Sequence, residues 1–337
     1  MAVLKAVVVG AGGISGAWFP PLKAEGIEVA GIVDLDPERA KAQAQKFGLS
    51  CEISTDLRRT LRRVRPDFVV DLTVPDAHCR ITCTALRAGC HVIGEKPMAS
   101  SMREARRMVQ ASAEAGRIYM VSQSRRYVPR HVALQQFLAS GEIGPLTTLT
   151  CNFFMGCHFG GFRDEMPSPL ILDMAIHHFD LARLFSGADP VAVYAREFNP
   201  AGSWYKGDVS ASCVFEMSNG LFFTYCGSWC AEGIHTSWNG DWRFQGVNGS
   251  VVFERDQVSH GAVVTGTTGF NREKRTFDVP EQTFPATGQH GALREFLQAI
   301  QGGPAPQGEC HDNIKSLAMV FAVIESSNKK RRVAIRW

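Results

Sequence analysis

The feature that most constrains this chain is its beginning. Ala6-Val7-Val8-Val9 runs directly into Gly10-Ala11-Gly12-Gly13-Ile14-Ser15, and Asp34 ends a second apolar run 22 residues beyond Gly12. A short unbroken apolar run suits a strand buried on both faces of a parallel sheet. Gly10 permits the tight turn that follows, and Gly12 lets the backbone approach a pyrophosphate. The next helix N-terminus offers free N–H groups to that charge. Ser15, small but not glycine, holds the third position of the fingerprint. Asp34 stands where a carboxylate accepts hydrogen bonds from ribose hydroxyls and repels a 2′-phosphate, which predicts NAD rather than NADP. Asp36, directly before Pro37, is the better helix cap.

The pattern continues as strand and helix in alternation. Apolar runs at 29–33, 68–73, 91–93 and 118–121 are separated by helical segments at 37–47, 57–64, 78–88 and 102–115. That spacing predicts a doubly wound parallel sheet. Pro20-Pro21 must interrupt or kink the first crossover helix. After about residue 125 the texture changes. A helix at 129–140 is followed by strand-like stretches at 146–154, 191–198, 210–216, 221–229, 242–245 and 250–253. Asn219-Gly220 between two of them is a hairpin signal, because both residues tolerate positive φ. Helices at 291–300 and 313–326 follow. The expected fold is α/β: an N-terminal Rossmann domain over 1–122, then an α/β domain with an open, mainly antiparallel sheet over 123–337. An open sheet leaves one face to solvent or a partner, and the apolar residues of 210–229 favour a partner, hence a homodimer or homotetramer.

Composition narrows the class of function. The 337 residues carry a formal net charge of +3, evenly spread, which argues against nucleic acid as a partner. No run approaches the roughly 18 to 20 apolar residues of a membrane span, and the N-terminus lacks a targeting pattern, so a cytoplasmic protein is expected. The ten cysteines are scattered through apparent core elements and read as buried free thiols. Cys79, Cys83, Cys90 and His91 lack the paired close spacings of a structural zinc site, so no metal is expected.

Later segments carry the chemistry. Gly94-Glu95-Lys96-Pro97-Met98 ends a sheet strand, placing Lys96 at the carboxyl edge where such sheets bind ligands. Ser168-Pro169 and Gly187 bracket a helix predicted over 169–186. On it Asp173 and His177 are four residues apart and share a face, so they can address one ligand. His177 beside a carboxylate is a candidate base. His178 falls in a stripe with Met174, Leu181 and Phe185 and reads as a core histidine. The tryptophans at 204, 229, 238 and 242 could stack on a sugar but read better as sheet core or interface, and the arginines at 58, 59, 62, 63 and 65 as a solvated helix face.

Glu95-Lys96-Pro97 together with Asp173-x3-His177 resembles the glucose–fructose oxidoreductase/inositol dehydrogenase (Gfo/Idh/MocA) family. Thr73-Val74-Pro75-Asp76-Ala77-His78, Ala88-Gly89-Cys90-His91-Val92 and Arg125-Arg126-Tyr127 also look like segments of it. The resemblance implies an NAD(P)-dependent dehydrogenase moving a hydride between nicotinamide and a secondary hydroxyl of a sugar or cyclic polyol. It implies Lys96, Asp173 and His177 as catalytic residues. Gly10, Gly12, Gly13, Ile14, Asp34, Thr73, Pro75, His78, Glu95 and Lys96 would hold the cofactor. Arg126 and Arg163 would join the catalytic residues in holding substrate. Where many members have a glycine run before the helix, this chain has Asp164-Glu165-Met166-Pro167-Ser168-Pro169. Two other functions fit the resemblance: a redox glycosidase that retains its NAD, and a non-enzymatic dinucleotide sensor.

Overall fold

The structure is a computed structural model that describes residues 3–337, so the first two residues of the expected 1–122 domain lie outside it. The described chain forms two compact units, residues 3–127 with 285–317, and residues 128–284 with 318–337.

The first unit holds, among the described residues, a six-stranded parallel sheet in the order β3-β2-β1-β4-β5-β6. Its strands are β1 (Lys5–Val9), β2 (Glu28–Val33), β3 (Glu52–Ser54), β4 (Phe68–Asp71), β5 (His91–Gly94) and β6 (Tyr119–Val121). The crossover helices are α1 (Phe19–Ala24), α2 (Pro37–Phe47), α3 (Leu57–Val64), α4 (Pro75–Arg87) and α5 (Met102–Ala115). The two prolines begin α1 rather than kink it: a 3-10 turn at Gly13–Ala17 comes first, and Pro20 and Pro21 occupy the first helical turn, where a missing N–H costs little. Parallel register sets the functional edge. Val9 pairs with Val33 and with Asp71, and Asp71 with Gly94, so Gly10, Asp34, Leu72 and Glu95 all leave the sheet at its carboxyl side.

The unit is not closed by residues 1–122 alone. Helix α9 (Gly288–Ile300) returns to it, burying Ala292, Leu293, Phe296 and Leu297 in one core with Val8, Phe68, Val70, Ile93 and Met120. The Phe68 and Phe296 rings meet edge to face at 5.4 Å. A single cut after residue 122 therefore misplaces the segment 285–317, which covers apolar sheet surface of the first unit.

The second unit contains helix α6 (Pro129–Ala139), a short helix α7 (Phe162–Glu165) and helix α8 (Ile176–Ser186). Among the described residues its nine-stranded sheet runs β14-β13-β12-β11-β7-β10-β9-β8-β15. The strands are β7 (Leu146–Phe154), β8 (Pro190–Phe198), β9 (Ser210–Met217), β10 (Phe222–Ser228), β11 (Asp241–Gly246), β12 (Gly249–Phe253), β13 (Ser259–Val264), β14 (Lys274–Val279) and β15 (Val333–Ala334). All pairings are antiparallel except β10 with β7. Gly220, at φ +82°, makes the β9–β10 hairpin turn. One face is core, where Phe179 of α8 meets Phe215 at 4.9 Å and Tyr225 at 5.3 Å. The opposite face leaves Tyr194, Phe198, Val214 and Phe222 between 41 and 50% exposed. Helix α10 (Cys310–Lys329) contains the division between the units at residue 317. No helix among the described residues is long and apolar enough to cross a membrane.

Candidate active site

At the carboxyl edge of the first unit, Gly10 adopts φ +97°, and a Cβ there would lie 2.7 Å from the carbonyl oxygen of Leu72. No side chain fits, and the turn closes tightly against the β4–α4 connection. Gly12 and Gly13 instead face open space, with no atom within 4 Å of an added Cβ. Ser15 is fully buried and donates to the Gly12 carbonyl at 2.6 Å, so the third fingerprint position needs smallness and tolerates a hydroxyl. Asp34 accepts from the Ala11 N–H through Oδ2 at 2.6 Å and from the Asp36 N–H through Oδ1 at 2.9 Å. Asp36 caps α2 by accepting from Glu38 N–H at 3.0 Å. Asp34 is thus free of the capping role and is pinned against the glycine turn.

These residues line a cavity of about 480 Å³, with Gly10, Gly12, Asp34, Leu35, Thr73 and Val74 in its wall. Leu35 and Val74 are 87 and 66% exposed, offering apolar surface beside a carboxylate and open glycine backbone. The set fits a dinucleotide: hydrogen-bond acceptors for ribose, apolar surface for a base, and backbone N–H groups for phosphate.

Pro75 opens α4, and Thr73 and His78 flank it. Glu95 accepts from Trp18 Nε1 at 3.0 Å and from the Lys96 N–H at 3.3 Å. Burial pushes the Glu95 carboxyl up, against the opposing pull of the Trp18 hydrogen bond and the Lys96 charge. Lys96 is half-buried, and its bond to Pro97 is cis. Ile14 is 40% exposed beside the glycines. Arg126 is buried, and its guanidinium donates to the Gln307 carbonyl at 3.1 Å. That bond is a brace within the first unit.

In the second unit the helix expected over 169–186 is present but begins differently. Leu170–Ala175 is a π-helical segment, and only Ile176–Ser186 is α-helical, ending at Gly187 with φ +60°. The Ser168 side chain does not cap it; it is placed to lower the Glu197 carboxyl instead. Such i→i+5 turns are rare and cluster at functional sites. Asp173 and His177 are both half-buried, while Met174, Ala175, Ile176 and His178 are buried, so the two share the accessible side of the segment. His178 is 0% exposed. Its ring lies 4.9 Å from that of Phe153 and 5.6 Å from that of Tyr225, with Nε2 3.4 Å from the Trp238 carbonyl, a core position as expected. Arg163 Nε donates to Asp173 Oδ2 at 2.6 Å, and its guanidinium sits over both the Phe159 and Phe162 rings. Trp229 and Trp242 are core, Trp238 is 43% exposed, and Trp204 stacks on His158 at 3.7 Å.

The structure adds three further groups. Asp71 interrupts an otherwise apolar strand and is fully buried, a signal present in its placement. Phe159 and Phe162 lie in a segment with no periodicity. Glu197 occupies an inward position in the alternation of β8. The ligand-type group Glu309, Cys310 and His311 is held together as a helix start, with Glu309 Oε2 accepting from His311 N–H at 2.9 Å.

Comparison with known proteins agrees with this architecture. Residues 4–123 match the model of an oxidoreductase family with an NAD-binding Rossmann fold, and residues 131–252 match the GFO/IDH/MocA C-terminal domain. The chain is 27% identical to 1,5-anhydro-D-fructose reductase of Ensifer adhaerens, covering 95% of each. It is 32% identical to inositol 2-dehydrogenase of Rubrobacter xylanophilus over 58% of this chain and 55% of the relative. The fold superimposes on an oxidoreductase from Agrobacterium radiobacter, solved with NAD+, L-tartaric acid and magnesium. That match has a TM-score of 0.86 at 23% identity and covers 99% of this chain and 98% of the other. The chain belongs to the Gfo/Idh/MocA family and is an NAD-binding oxidoreductase.

Proposed function

We propose that this protein moves a hydride between a secondary hydroxyl of a sugar or cyclic polyol and NAD, with Lys96, Asp173 and His177 as the acting residues. Relatives named for an anhydrosugar and for inositol support this substrate class. The observation that carries the reading is the half-buried pair Asp173 and His177 in a segment where Met174, Ala175, Ile176 and His178 are buried.

Gly10, Gly12, Gly13 and Ile14 would hold the pyrophosphate, and Asp34 the adenosine ribose. When bound, the nicotinamide takes up or returns the hydride. The chain must then move the hydroxyl proton and stabilise charge on the oxygen. His177 takes the proton, Asp173 orients the imidazole and stabilises its cation, and Lys96 donates a hydrogen bond to the reacting oxygen. Arg163 acts on substrate through Asp173. The reading places the reaction in the cytoplasm, where thiols stay reduced, and the chain in a homodimer or homotetramer joined through the exposed face of the second sheet.

Nicotinamide absorbance, followed while NAD and NADP are offered with a panel of sugars, anhydrosugars and inositols, tests the reading. NADH accumulating with a polyol supports it. Glycoside cleavage without net NADH would replace it with a redox glycosidase, and tight NAD binding without turnover on any substrate would favour a sensor.

A further inference from the structure

Behind the cavity wall lies a group of polar and charged side chains that the proposed reaction does not use. Asp71, the last residue of β4, is 0% exposed. Its Oδ1 accepts from the Thr73 hydroxyl at 2.6 Å and from the Thr73 N–H at 3.2 Å, and lies 3.1 Å from His78 Nδ1. Its Oδ2 accepts from the Thr82 hydroxyl at 3.0 Å. A carboxylate against Nδ1 makes that nitrogen the donor and so fixes the ring. The other ring nitrogen, Nε2, is buried with no hydrogen-bond partner among the described residues.

The charges nearby are few and identifiable. Asp71 faces His78 from β4, and Glu95 from the end of β5, with Lys96 following Glu95 and the Tyr119 phenol of β6 near Asp71. Burial pulls the His78 imidazole down, but the charge and hydrogen bond of Asp71, with the charge of Glu95, leave it above its ordinary value.

A fully buried ion pair is a poor source of stability, since apolar residues of similar volume commonly do as well. Its position offers a better reason for it. The Asp71 carboxylate ties down the Leu72–Thr73 turn, the backbone against which Gly10 closes, and Thr73 lines the dinucleotide cavity.

We propose that Asp71 is a positioning residue of the dinucleotide site. It clamps the Thr73 turn opposite Gly10 and turns His78 so that Nε2 is offered to an oxygen of the bound dinucleotide. The proposal rests on the dinucleotide lying against Gly10 and Asp34. Asp71 touches no reacting atom; it acts through Thr73 and His78.

The test is NADH affinity of the whole protein, read by energy transfer from tryptophan, Trp18 being hydrogen-bonded to Glu95. Wild type, Asp71→Asn and Thr73→Val are titrated between about pH 6 and 9, the span in which a raised imidazole changes charge. Thermal unfolding is followed in parallel. Wild type should bind NADH less tightly as pH rises and His78 loses its proton. Folded Asp71→Asn should bind about tenfold more weakly, the scale of one charge-assisted hydrogen bond, and lose that pH dependence. Thr73→Val should weaken binding severalfold without altering the pH dependence. A folded Asp71→Asn with wild-type affinity and pH profile overturns the proposal. If Asp71→Asn does not fold, Thr73→Val decides, and wild-type affinity in that variant overturns it. Wild type that fails to bind NADH at all would instead overturn the dinucleotide placement, and the proposal with it.

Discussion

Arg163 donates from Nε to the Asp173 carboxylate at 2.6 Å while its guanidinium lies 5.0 Å from the Phe159 ring centre and 4.7 Å from that of Phe162. The two rings restrict a side chain that would otherwise be mobile, so the cation reaches Asp173 with less ordering left to do. We propose that Arg163 holds the Asp173 carboxylate in one orientation. Arg163→Gln should lower kcat about tenfold, the scale of one charge-assisted hydrogen bond, while NADH affinity stays as in wild type. Phe162→Ala should produce a smaller loss in the same direction. Steady-state kinetics beside NADH titration checks both, and a KM effect with unchanged kcat would instead make Arg163 a substrate contact.

His177 and His178 are adjacent in sequence and opposite in environment, the first half-buried and the second packed among Phe153, Tyr225 and Trp242. His177→Ala and Lys96→Ala should each lower kcat by about 10²- to 10⁴-fold with little change in NADH affinity. His178→Ala should act through stability, costing about 2 to 4 kcal/mol for a buried ring removed from a close-packed core. Denaturant unfolding and kcat on the same preparations separate the two. A stable, inactive His178→Ala beside an active His177→Ala would move the base by one residue.

Much of this is legible in the sequence, for physical reasons. The glycine turn, Asp34 and the apolar runs of the first sheet are local signals, set by φ angles and by burial on both faces of a parallel sheet. Asn219-Gly220 marks its hairpin for the same reason. The rest depends on contacts distant in sequence. Nothing local shows that Phe296 packs on Phe68, so the return of residues 285–317 to the first unit leaves no pattern to read. Strands β13 and β14 carry Gly261, Lys274, Arg275 and Asp278, too polar for a periodic signal. The π-helical start of the Asp173 segment has no sequence code of its own. Asp71 is the exception: a charge inside a doubly buried strand is a visible anomaly.

Asp34 both shapes the glycine turn and faces the cavity, so its removal has two effects. Asp34→Ala should narrow the preference for NADH over NADPH, because it removes the charge that opposes a 2′-phosphate. It should also weaken NADH itself about tenfold, because the Ala11 and Asp36 N–H groups lose their shared acceptor. Parallel titrations with both cofactors measure this. Wild type that binds NADPH more tightly than NADH would remove Asp34 from the selectivity argument.

The exposed face of the second sheet should be an interface between copies of the chain. Tyr194 pairs across the strands with Val214, and Phe222 lies one strand further on, so the patch is contiguous. Tyr194→Lys combined with Phe222→Glu should shift the mass by light scattering toward the monomer, with the fold retained by circular dichroism. A wild-type protein that is already monomeric at micromolar concentration would count against the interface.

Glu197 supplies a pH test that is independent of substrate. It sits on the inner face of β8, 5% exposed, with its N–H donating to the Ser327 hydroxyl at 2.8 Å. Burial raises its carboxyl to about 7, against a hydrogen bond from Ser168 and with a push in the same direction from Asp208. A carboxyl raised on folding holds its proton in the native state while the unfolded chain has already lost it. The stabilising contribution is therefore fully present below the unfolded carboxylate range near pH 4.5, falls as pH rises, and is gone above about 7. At roughly 1.4 kcal/mol per pH unit the loss amounts to about 3 kcal/mol across that window. Glu197→Gln keeps the shape but cannot ionise. It should match wild type near pH 5, exceed it at pH 8 by about that amount, and flatten the curve between. Because Ser168 precedes the segment bearing Asp173 and His177, the same substitution should leave kcat at neutral pH near wild type if the carboxyl is a structural group only. Unfolding by denaturant across this pH range is the measurement. Parallel stability curves for wild type and Glu197→Gln would show that Glu197 ionises in the native state as it does in water.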